Sequence, residues 1–148
     1  MNKKGIYDNI NLPDITINNL LITGNWMNEV YSVHLKQYAL SIQQYQVLRS
    51  LRNLNGEPAN LQTLQELMVS KNSNTTRLVE KLRLKGLITR IQNEENRRKV
   101  EIRITKAGLQ LLSEIDSSQE EFEQNVTSNL RPTELIALNQ LLKKIRNK

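Results

Sequence analysis

The spacing of the apolar residues changes at Gly86, and this change limits the chain to few folds. Before Gly86 the apolar residues recur every three or four positions, which predicts amphipathic helices. A short apolar run follows directly after Gly86, and further on Val100, Ile102 and Ile104 alternate with charged residues, as in a strand with one buried face. Polar residues at 93–98 separate the two runs. The pattern predicts a mostly helical domain that contains one antiparallel hairpin.

Four helices are predicted ahead of the hairpin, and polar residues mark where they begin and end. Residues 1–13 are expected to form a loose leader, and Asp14 is the predicted N-cap of a long first helix. Ser41, with Gln44 three residues on, forms a capping box that starts the second helix. The Asn55-Gly56 pair is predicted to end that helix.

Two short helices follow, separated by a polar break at residues 70–74. Asn60 is the predicted N-cap of the third helix, and Gly86 is the glycine expected just past the end of the fourth. The less polar residues of both helices are predicted to face inward: Leu61, Leu64 and Leu67 in the third, and Thr75, Leu78, Val79 and Leu82 in the fourth. Beyond the hairpin, Thr105 caps a long fifth helix and Pro132 starts the sixth.

The positive charge is concentrated in residues 71–106. This segment holds eleven Lys and Arg against four Glu, a balance of +7, whereas the whole chain carries +6. Confined basic charge is typical of a surface that binds a polyanion. A solvated basic surface without a partner gives the same count, so charge alone leaves both interpretations open.

The order of the elements gives this charge a structural context. Two short helices joined by a tight break and followed by a hairpin are typical of a winged helix-turn-helix, whose second short helix enters the DNA major groove. Outside its buried face, that helix carries side chains of the types that pair with bases or phosphates: Ser73, Asn74, Thr76, Arg77 and Lys81. The hairpin tip offers Arg97 and Arg98, and arginine is attracted to narrow minor grooves. The alternative for the helix residues is a solvated polar face.

Four stretches of this segment resemble the MarR family of bacterial transcription regulators. They are residues 74–82 (NTTRLVEKL), 85–88 (KGLI), 96–98 (NRR) and 104–108 (ITKAG). The resemblance implies a homodimer on double-stranded DNA with an inverted-repeat operator. We expect a repressor, and an activator stays open as the alternative. The resemblance also implies that the recognition helix reads the major groove, and that the wing arginine, Arg98 supported by Arg97, enters the minor groove.

One position departs from the family pattern. Asn96 stands where the family usually has an Asp that steadies the wing arginine. An amide still accepts a hydrogen bond, but without charge assistance. Two expectations stay open: the wing is looser, or Glu94 or Glu95 supports the arginine.

The first, fifth and sixth helices carry longer apolar stripes than a winged helix alone covers. Leaving such side chains in water forgoes roughly 1.5–3 kcal/mol for each one, so a second copy is expected to cover them. The resemblance likewise assigns dimerisation to the terminal helices. The predicted division is a dimerisation segment at residues 1–40, a winged helix-turn-helix at 41–105 and dimerisation helices at 106–148. The predicted fold class is mainly α with a small antiparallel β-hairpin.

The resemblance also implies a small-molecule site between the dimerisation helices and the DNA-binding lobe. Aromatic walls and one cation suit an aromatic acid. The first two helices supply residues of these types: Trp26, Tyr31, His34, Tyr38, Tyr45 and Arg49. The same residues also fit a helix core or an interface, so both interpretations stay open.

Composition excludes several other classes of protein. With no Cys and one His, the chain cannot form disulfides or thiolate zinc sites and has little for a metal or a catalytic triad. No cofactor, metal or enzymatic activity is expected. No apolar run is long enough to cross a membrane, and a cytoplasmic protein is the simplest interpretation. The remaining alternative is a winged-helix module that binds a protein and has lost DNA binding, and Asn96 is its only support.

Overall fold

The chain forms six helices and one two-stranded hairpin in the order that the sequence predicts. The computed structural model describes residues 10–71 and 73–147. The elements in chain order are α1 (Leu12–Lys36), α2 (Ile42–Asn53), α3 (Leu61–Leu67), α4 (Thr75–Leu84), β1 (Ile88–Gln92), β2 (Val100–Ile104), α5 (Lys106–Val126) and α6 (Pro132–Arg146). Mainly α with a small antiparallel hairpin is therefore the observed fold class.

Helix α1 begins earlier than predicted. Residues 1–9 of the expected leader lie outside the described residues, and residues 12 and 13 already belong to the helix. Asn11, not Asp14, is the N-cap, since its Oδ1 accepts a hydrogen bond from the Asp14 N–H at 3.3 Å. Pro13 fits the first turn because its missing N–H would have no partner there in any case. The Asp14 carboxylate instead lies in the first turn, where its negative charge interacts favourably with the positive end of the helix dipole.

Helix α2 is the centre of the hydrophobic core. Its buried residues Tyr45, Val47, Leu48 and Leu51 lie in one cluster with buried side chains of α4, β2 and α5. The predicted capping box is present, with the Gln44 N–H donating to Ser41 Oγ and the Ser41 N–H to Gln44 Oε1, both at 3.1 Å. This helix contacts α1, α3, α4, α5 and β2, so it is the central element of the fold.

Helix α3 corrects one predicted core residue. Leu67 was expected to face inward, but its side chain is 51% exposed. The helix ends at Leu67, and the chain becomes extended at Met68, with φ −69° and ψ 138°. Met68 therefore takes the buried position, at 2% exposure. The prediction for Leu67 assumed that the helix continues past this residue, and it was wrong because the helix ends there.

The hairpin is tied to the rest of the domain at its base. Strands β1 and β2 pair antiparallel, from Ile88 opposite Ile104 to Gln92 opposite Val100. Ile102 also exchanges two backbone hydrogen bonds with Ala59, of 2.8 and 2.9 Å, in the loop before α3. Ile102 is fully buried. The base of the hairpin is thus fixed to the core, and its tip projects.

A compact joint connects the end of α4 to the start of α5. Gly86 has φ 74°, and this backbone conformation allows two hydrogen bonds that close the end of α4. The Leu87 N–H donates to the Leu82 carbonyl and the Gly86 N–H donates to the Arg83 carbonyl, which together form a Schellman motif. Thr105 caps α5 and also donates its hydroxyl to the Gly86 carbonyl at 2.8 Å. A Cβ on Gly108 would lie 2.4 Å from the Leu87 carbonyl oxygen. This joint explains the KGL and IT-x-x-G stretches of the sequence, because they are its two halves.

The two terminal helices keep much of their apolar surface exposed. Helix α6 has no buried residue, and Leu141 is 63% exposed. On α1, Leu35 is the buried residue, near the C-terminal end, and the apolar side chains of its first three turns are exposed. An apolar groove of about 550 Å³ lies between the two helices, lined chiefly by Leu20, Met27, Leu138 and Leu142. Across the described residues, no helix is long and apolar enough to span a membrane.

Candidate nucleic-acid interface

Helix α4 presents a polar face to the outside, as predicted. Val79 and Leu82 are fully buried on its inner face. The predicted contact residues lie on the other side, where Asn74, Thr76, Arg77 and Lys81 are exposed and Ser73 is half-buried. All five are therefore accessible or partly accessible on one surface.

Part of this polar face borders a cleft with the start of α2. The cleft has a volume of about 360 Å³. Its polar lining comes from both helices and the turn before α4: Ser41, Gln43, Ser73, Asn74, Arg77 and Lys81. Sequence reasoning used Ser41 only as a cap and missed Gln43. Both residues lie at the start of α2, outside the two short helices that the sequence pattern indicated, so no local signal pointed to them.

Asn74 has a structural role in addition to the predicted one. Its Oδ1 accepts a hydrogen bond from the Arg77 N–H at 3.1 Å, so it is the N-cap of α4. The carboxamide oxygen is thus engaged, which leaves the Nδ2 donor for a contact with a ligand. A bidentate contact to adenine needs both atoms. Asn74 as placed suits a single hydrogen bond.

The turn between α3 and α4 is held by one glutamine. Gln65 accepts a hydrogen bond from the Thr75 hydroxyl at the start of α4. Its Nε2 donates to the Lys71 carbonyl at 2.5 Å, and the Lys71 ammonium donates to the Glu66 carbonyl. These bonds fix the start of α4 relative to α3, and the polar face is aimed by that geometry.

Several cations of the basic segment are already engaged within the protein. Arg83 forms a two-bond ion pair with Glu80, at 2.7 and 3.0 Å. The hydrogen bonds from Arg83 lower the pKa of the Glu80 carboxyl. Arg103 pairs with Glu101 at 3.0 Å and also donates to the Gly56 carbonyl. Among the described residues, Arg77 and Lys81 form no ion pair, so the polar face of α4 keeps its charge for a ligand.

The hairpin tip is shaped by two asparagines. Asn93 Oδ1 accepts hydrogen bonds from the backbone N–H groups of Glu95 and Asn96, at 2.9 and 3.2 Å. Asn96 Oδ1 accepts from the Arg98 N–H at 3.1 Å. Such side chain-to-backbone bonds define tight turns. They hold the backbone at the tip, where Arg97 and Arg98 are exposed.

This arrangement contradicts one of the two expectations for the wing, support of Arg98 by Glu94 or Glu95, and the other, a looser wing, stays a prediction. Asn96 braces the backbone of Arg98 rather than its guanidinium. Within the described part of the chain, neither Glu94 nor Glu95 forms an ion pair with Arg98. The tip is therefore ordered by neutral hydrogen bonds, and the Arg98 side chain projects without an internal carboxylate partner.

A second, smaller site lies between α1 and α2. A cavity of about 200 Å³ is bordered by Tyr31, Tyr45 and Arg49, with Met27, Ile42 and the amides of Asn28 and Gln46. The Arg49 guanidinium lies 5.4 Å from the centre of the Tyr45 ring. Burial, together with the neighbouring Tyr31, raises the pKa of Tyr45 to about 12. The phenol is thus neutral across the physiological range, and Arg49 supplies the positive charge of the cavity.

The other predicted ligand residues lie elsewhere. Trp26 is about half exposed on α1. His34 stacks on Phe122 of α5, with ring centres 4.1 Å apart, and Tyr38 shares a 2.6 Å hydrogen bond with Ser118. The structure therefore brings Tyr31, Tyr45 and Arg49 together and places His34 and Tyr38 in the contact between α1 and α5. No sequence pattern indicated that Phe122 would fill the space beside His34.

Comparison with known proteins agrees with this geometry. The sequence model of the MarR family matches residues 40–100. The HTH-type transcriptional regulator SarZ of Staphylococcus haemolyticus is 25% identical over 120 residues, which are 74% of this chain and 80% of SarZ. A MarR transcription factor from Planctomyces limnophilus is 30% identical, with 90% of this chain and 97% of that chain covered and a TM-score of 0.72.

A second similar structure contains DNA. It is a mutant of MarR from E. coli complexed with operator DNA, 23% identical, with 90% of this chain and 95% of that chain covered and a TM-score of 0.78. The fold, the 30% identity to a MarR factor of nearly equal extent and the family match agree. The chain belongs to the MarR family of DNA-binding transcriptional regulators, which are not enzymes.

Proposed function

We propose that this protein is a homodimeric, sequence-specific repressor that binds an inverted-repeat operator in the cytoplasm. Helix α4 reads the major groove through Ser73, Asn74, Thr76, Arg77 and Lys81, and the hairpin tip places Arg97 and Arg98 in the minor groove. The observation that carries the proposal is the exposed polar face of α4 beside the projecting arginine tip, where Arg77 and Lys81 have no ion-pair partner in the described part of the chain. The DNA-bound E. coli structure with the same fold supports it.

The exposed apolar faces of α1 and α6 support the homodimer. Several leucines and isoleucines on these helices are more than one-third exposed, on either side of the groove between them. Fully burying one such side chain contributes roughly 1.5–3 kcal/mol. A two-fold partner would cover both helices and set the two α4 helices about 34–36 Å apart, the spacing of successive major grooves. On this basis residues 1–40 and 106–148 form the dimerisation part, and residues 41–105 bind DNA.

The dimer is tested by a charge placed on the apolar face. Leu141→Glu should convert the protein to a monomer at micromolar concentration, measured by analytical ultracentrifugation. Leu84→Glu is the matched control, because Leu84 is also exposed, at 71%, but lies on α4. A dimer that survives Leu141→Glu, or dissociates equally in the control, refutes the assignment of α6.

DNA binding is tested by salt dependence and by three arginine variants. If a dimer contacts about 6–10 phosphates, affinity should fall by roughly 10³–10⁵ between 50 and 200 mM salt. Arg77→Ala should change sequence preference, whereas Arg98→Ala should weaken binding to all sequences and reduce the salt slope. Arg83→Ala is the matched control, because Arg83 lies on the same helix but is paired with Glu80.

The outcomes of this titration separate the alternatives. Equal losses for Arg77→Ala and Arg83→Ala would contradict the assigned face of α4. A flat salt response with no shift on any duplex would instead favour the protein-interaction module. Selection of bound sequences from a random DNA pool gives the half-site and its spacing in the same experiment.

We also propose that the cavity between α1 and α2 takes a small aromatic acid that releases the DNA. Tyr31 and Tyr45 provide aromatic walls, and Arg49 lies where it would pair with a carboxylate. The side chains of Trp26, His34 and Tyr38 lie outside this cavity. Their role as ligand residues stays a prediction. Benzoate should reduce operator affinity, whereas cyclohexylmethanol, which has no carboxylate, should not. Arg49→Gln should abolish the benzoate effect, and an unchanged response in this variant would refute the site.

A further inference from the structure

The side chain of Lys85 extends from the end of α4 to the turn between α1 and α2. Lys85 is the C-cap residue of α4, just ahead of Gly86. Its ammonium donates a hydrogen bond to the Ala39 carbonyl and another, at 3.4 Å, to Gln44 Oε1. A lysine from the basic segment therefore has its donors on the protein itself.

The acceptors of Lys85 lie at the corner between α1 and α2. Ala39 has φ 55°, in the left-handed region that non-glycine residues seldom adopt. Gln44 Oε1 also accepts the Ser41 N–H of the capping box. The Lys85 ammonium thus joins three parts of the chain: the end of α4, the turn after α1 and the first turn of α2.

We propose that Lys85 is a positioning residue that sets the angle between α4 and α1, and that it does not contact DNA. This inference rests on the proposed function, in which α1 dimerises and α4 reads DNA. The corner at Ala39 is one of the places where the two parts of the protein meet; the joint between α4 and α5 and the ion pair between Arg52 and Asp116 are others. The spacing of the two α4 helices in a dimer depends on this angle, because α1 lies near the two-fold axis and α4 does not.

The consequence is specific to operators with a fixed half-site spacing. Without the Lys85 bonds, the angle at the corner varies, and the two α4 helices fit successive major grooves less often. Binding to random DNA, which needs phosphate contacts but no register, is unaffected. Charge lost from Lys85 and charge lost from Lys81 therefore have different effects, although both belong to the same segment.

The first test compares Lys85→Met with Lys81→Met, and with Lys85→Arg, which keeps a donor. Titrations use the full chain on the selected operator and on a random duplex of equal length, at several salt concentrations. Lys85→Met should lose operator affinity by at least about tenfold, the lower end of the effect of removing a hydrogen bond from a charged group, with its salt slope unchanged. Lys81→Met should reduce the salt slope by about 1 for each phosphate contact removed and weaken random DNA equally. Lys85→Arg should restore most of the operator affinity.

The second test measures the angle without DNA. The chain has no cysteine, so spin labels go only to introduced sites, Glu29→Cys on α1 and Leu84→Cys on α4, both exposed. Labelled protein is diluted with unlabelled protein, so that one chain of a dimer carries the pair. Lys85→Met should broaden the distance distribution, and Lys81→Met should leave it unchanged.

Two results would overturn the inference. One is a salt slope and a random-DNA affinity that fall in Lys85→Met as they do in Lys81→Met, since Lys85 would then be a phosphate contact. The other is a distance distribution that Lys85→Met does not alter. If wild-type protein binds no duplex, the proposed function fails, but the distance measurement still decides the role of Lys85.

Discussion

Gly108→Ala is the sharpest test of how the DNA-binding lobe is assembled. Gly108 lies in the first turn of α5, where its N–H donates to the Thr105 hydroxyl at 3.1 Å. In an open helix, alanine in place of glycine would be stabilising by about 1 kcal/mol. Here the new Cβ would lie 2.4 Å from the Leu87 carbonyl oxygen and 2.6 Å from Ile104 Cγ1. The sign of the effect therefore depends on whether the joint can move.

The structure indicates that it cannot move without a cost. The Leu87 carbonyl that the Cβ would meet also accepts the Thr105 N–H at 3.0 Å, so moving it lengthens a backbone hydrogen bond. Overpacking a tightly packed site costs about 1–3 kcal/mol, which exceeds the gain in helix propensity. We expect Gly108→Ala to lower the free energy of unfolding by the difference, up to about 2 kcal/mol. At about 2–4 °C for each kcal/mol in a chain of this length, the melting temperature should fall by up to roughly 8 °C.

The assay is thermal unfolding followed by circular dichroism at one fixed protein concentration, because dimer stability depends on concentration. Ala107→Gly is the matched control, since it changes the neighbouring, exposed position in the opposite direction. It should cost up to about 1 kcal/mol from propensity alone. If Gly108→Ala is as stable as the wild type or more stable, the close approach of α5 to Leu87 is wrong, and with it the reason for the glycine.

Three further outcomes are expected. Tyr45→Phe should be more resistant to alkali, because the Tyr45 pKa is raised to about 12 in the folded protein. The neutral phenol stabilises the fold fully below about pH 10, and this contribution is lost as the pH rises towards 12. The free energies of unfolding of the two proteins, measured in urea, should therefore differ increasingly over that range. Asn60→Ala should cost about 0.5–2 kcal/mol because the Thr63 N–H loses its cap at 2.7 Å, and an unchanged urea midpoint would contradict this. Arg52→Gln should cost no more than about 1 kcal/mol, since its ion pair with Asp116 is solvent-exposed, and a larger loss would show that this pair is structurally required.

The local signals of the sequence predicted the fold well. Caps at Ser41, Asn60 and Thr105 and the glycine at Gly86 all lie where the helices begin and end. These signals succeed because they are complete within one turn of the chain. The same locality explains the error at Asp14: several polar residues near a helix start can serve as the cap, and the neighbouring proline decided between them.

Features that need contacts between distant segments were less predictable. Nothing in α1 shows that Phe122 lies against His34, because that contact spans most of the chain. The cavity therefore contains fewer of the predicted ligand residues than expected. Asn96 is a similar case, since its type predicted a hydrogen bond, but the partner is backbone rather than the Arg98 guanidinium. The type of a residue predicts that it will form a hydrogen bond more reliably than it predicts the partner of that bond.

The charge count illustrates why the structure is needed to interpret a basic segment. Of its eleven cations, Arg83 and Arg103 form ion pairs, and Lys71 and Lys85 donate to carbonyls of the protein. In the described part of the chain, seven remain without such partners: Arg77, Lys81, Arg90, Arg97, Arg98, Lys99 and Lys106. Each phosphate contact contributes about 0.9 to the salt slope, so the share of the slope that this segment supplies in one chain is limited by these seven cations rather than by eleven. If charge-removing variants within the segment together account for a larger share, one of the four engaged cations leaves its internal partner on DNA. Lys85, which joins α4 to the corner after α1, is the one whose departure would change the spacing of the recognition helices.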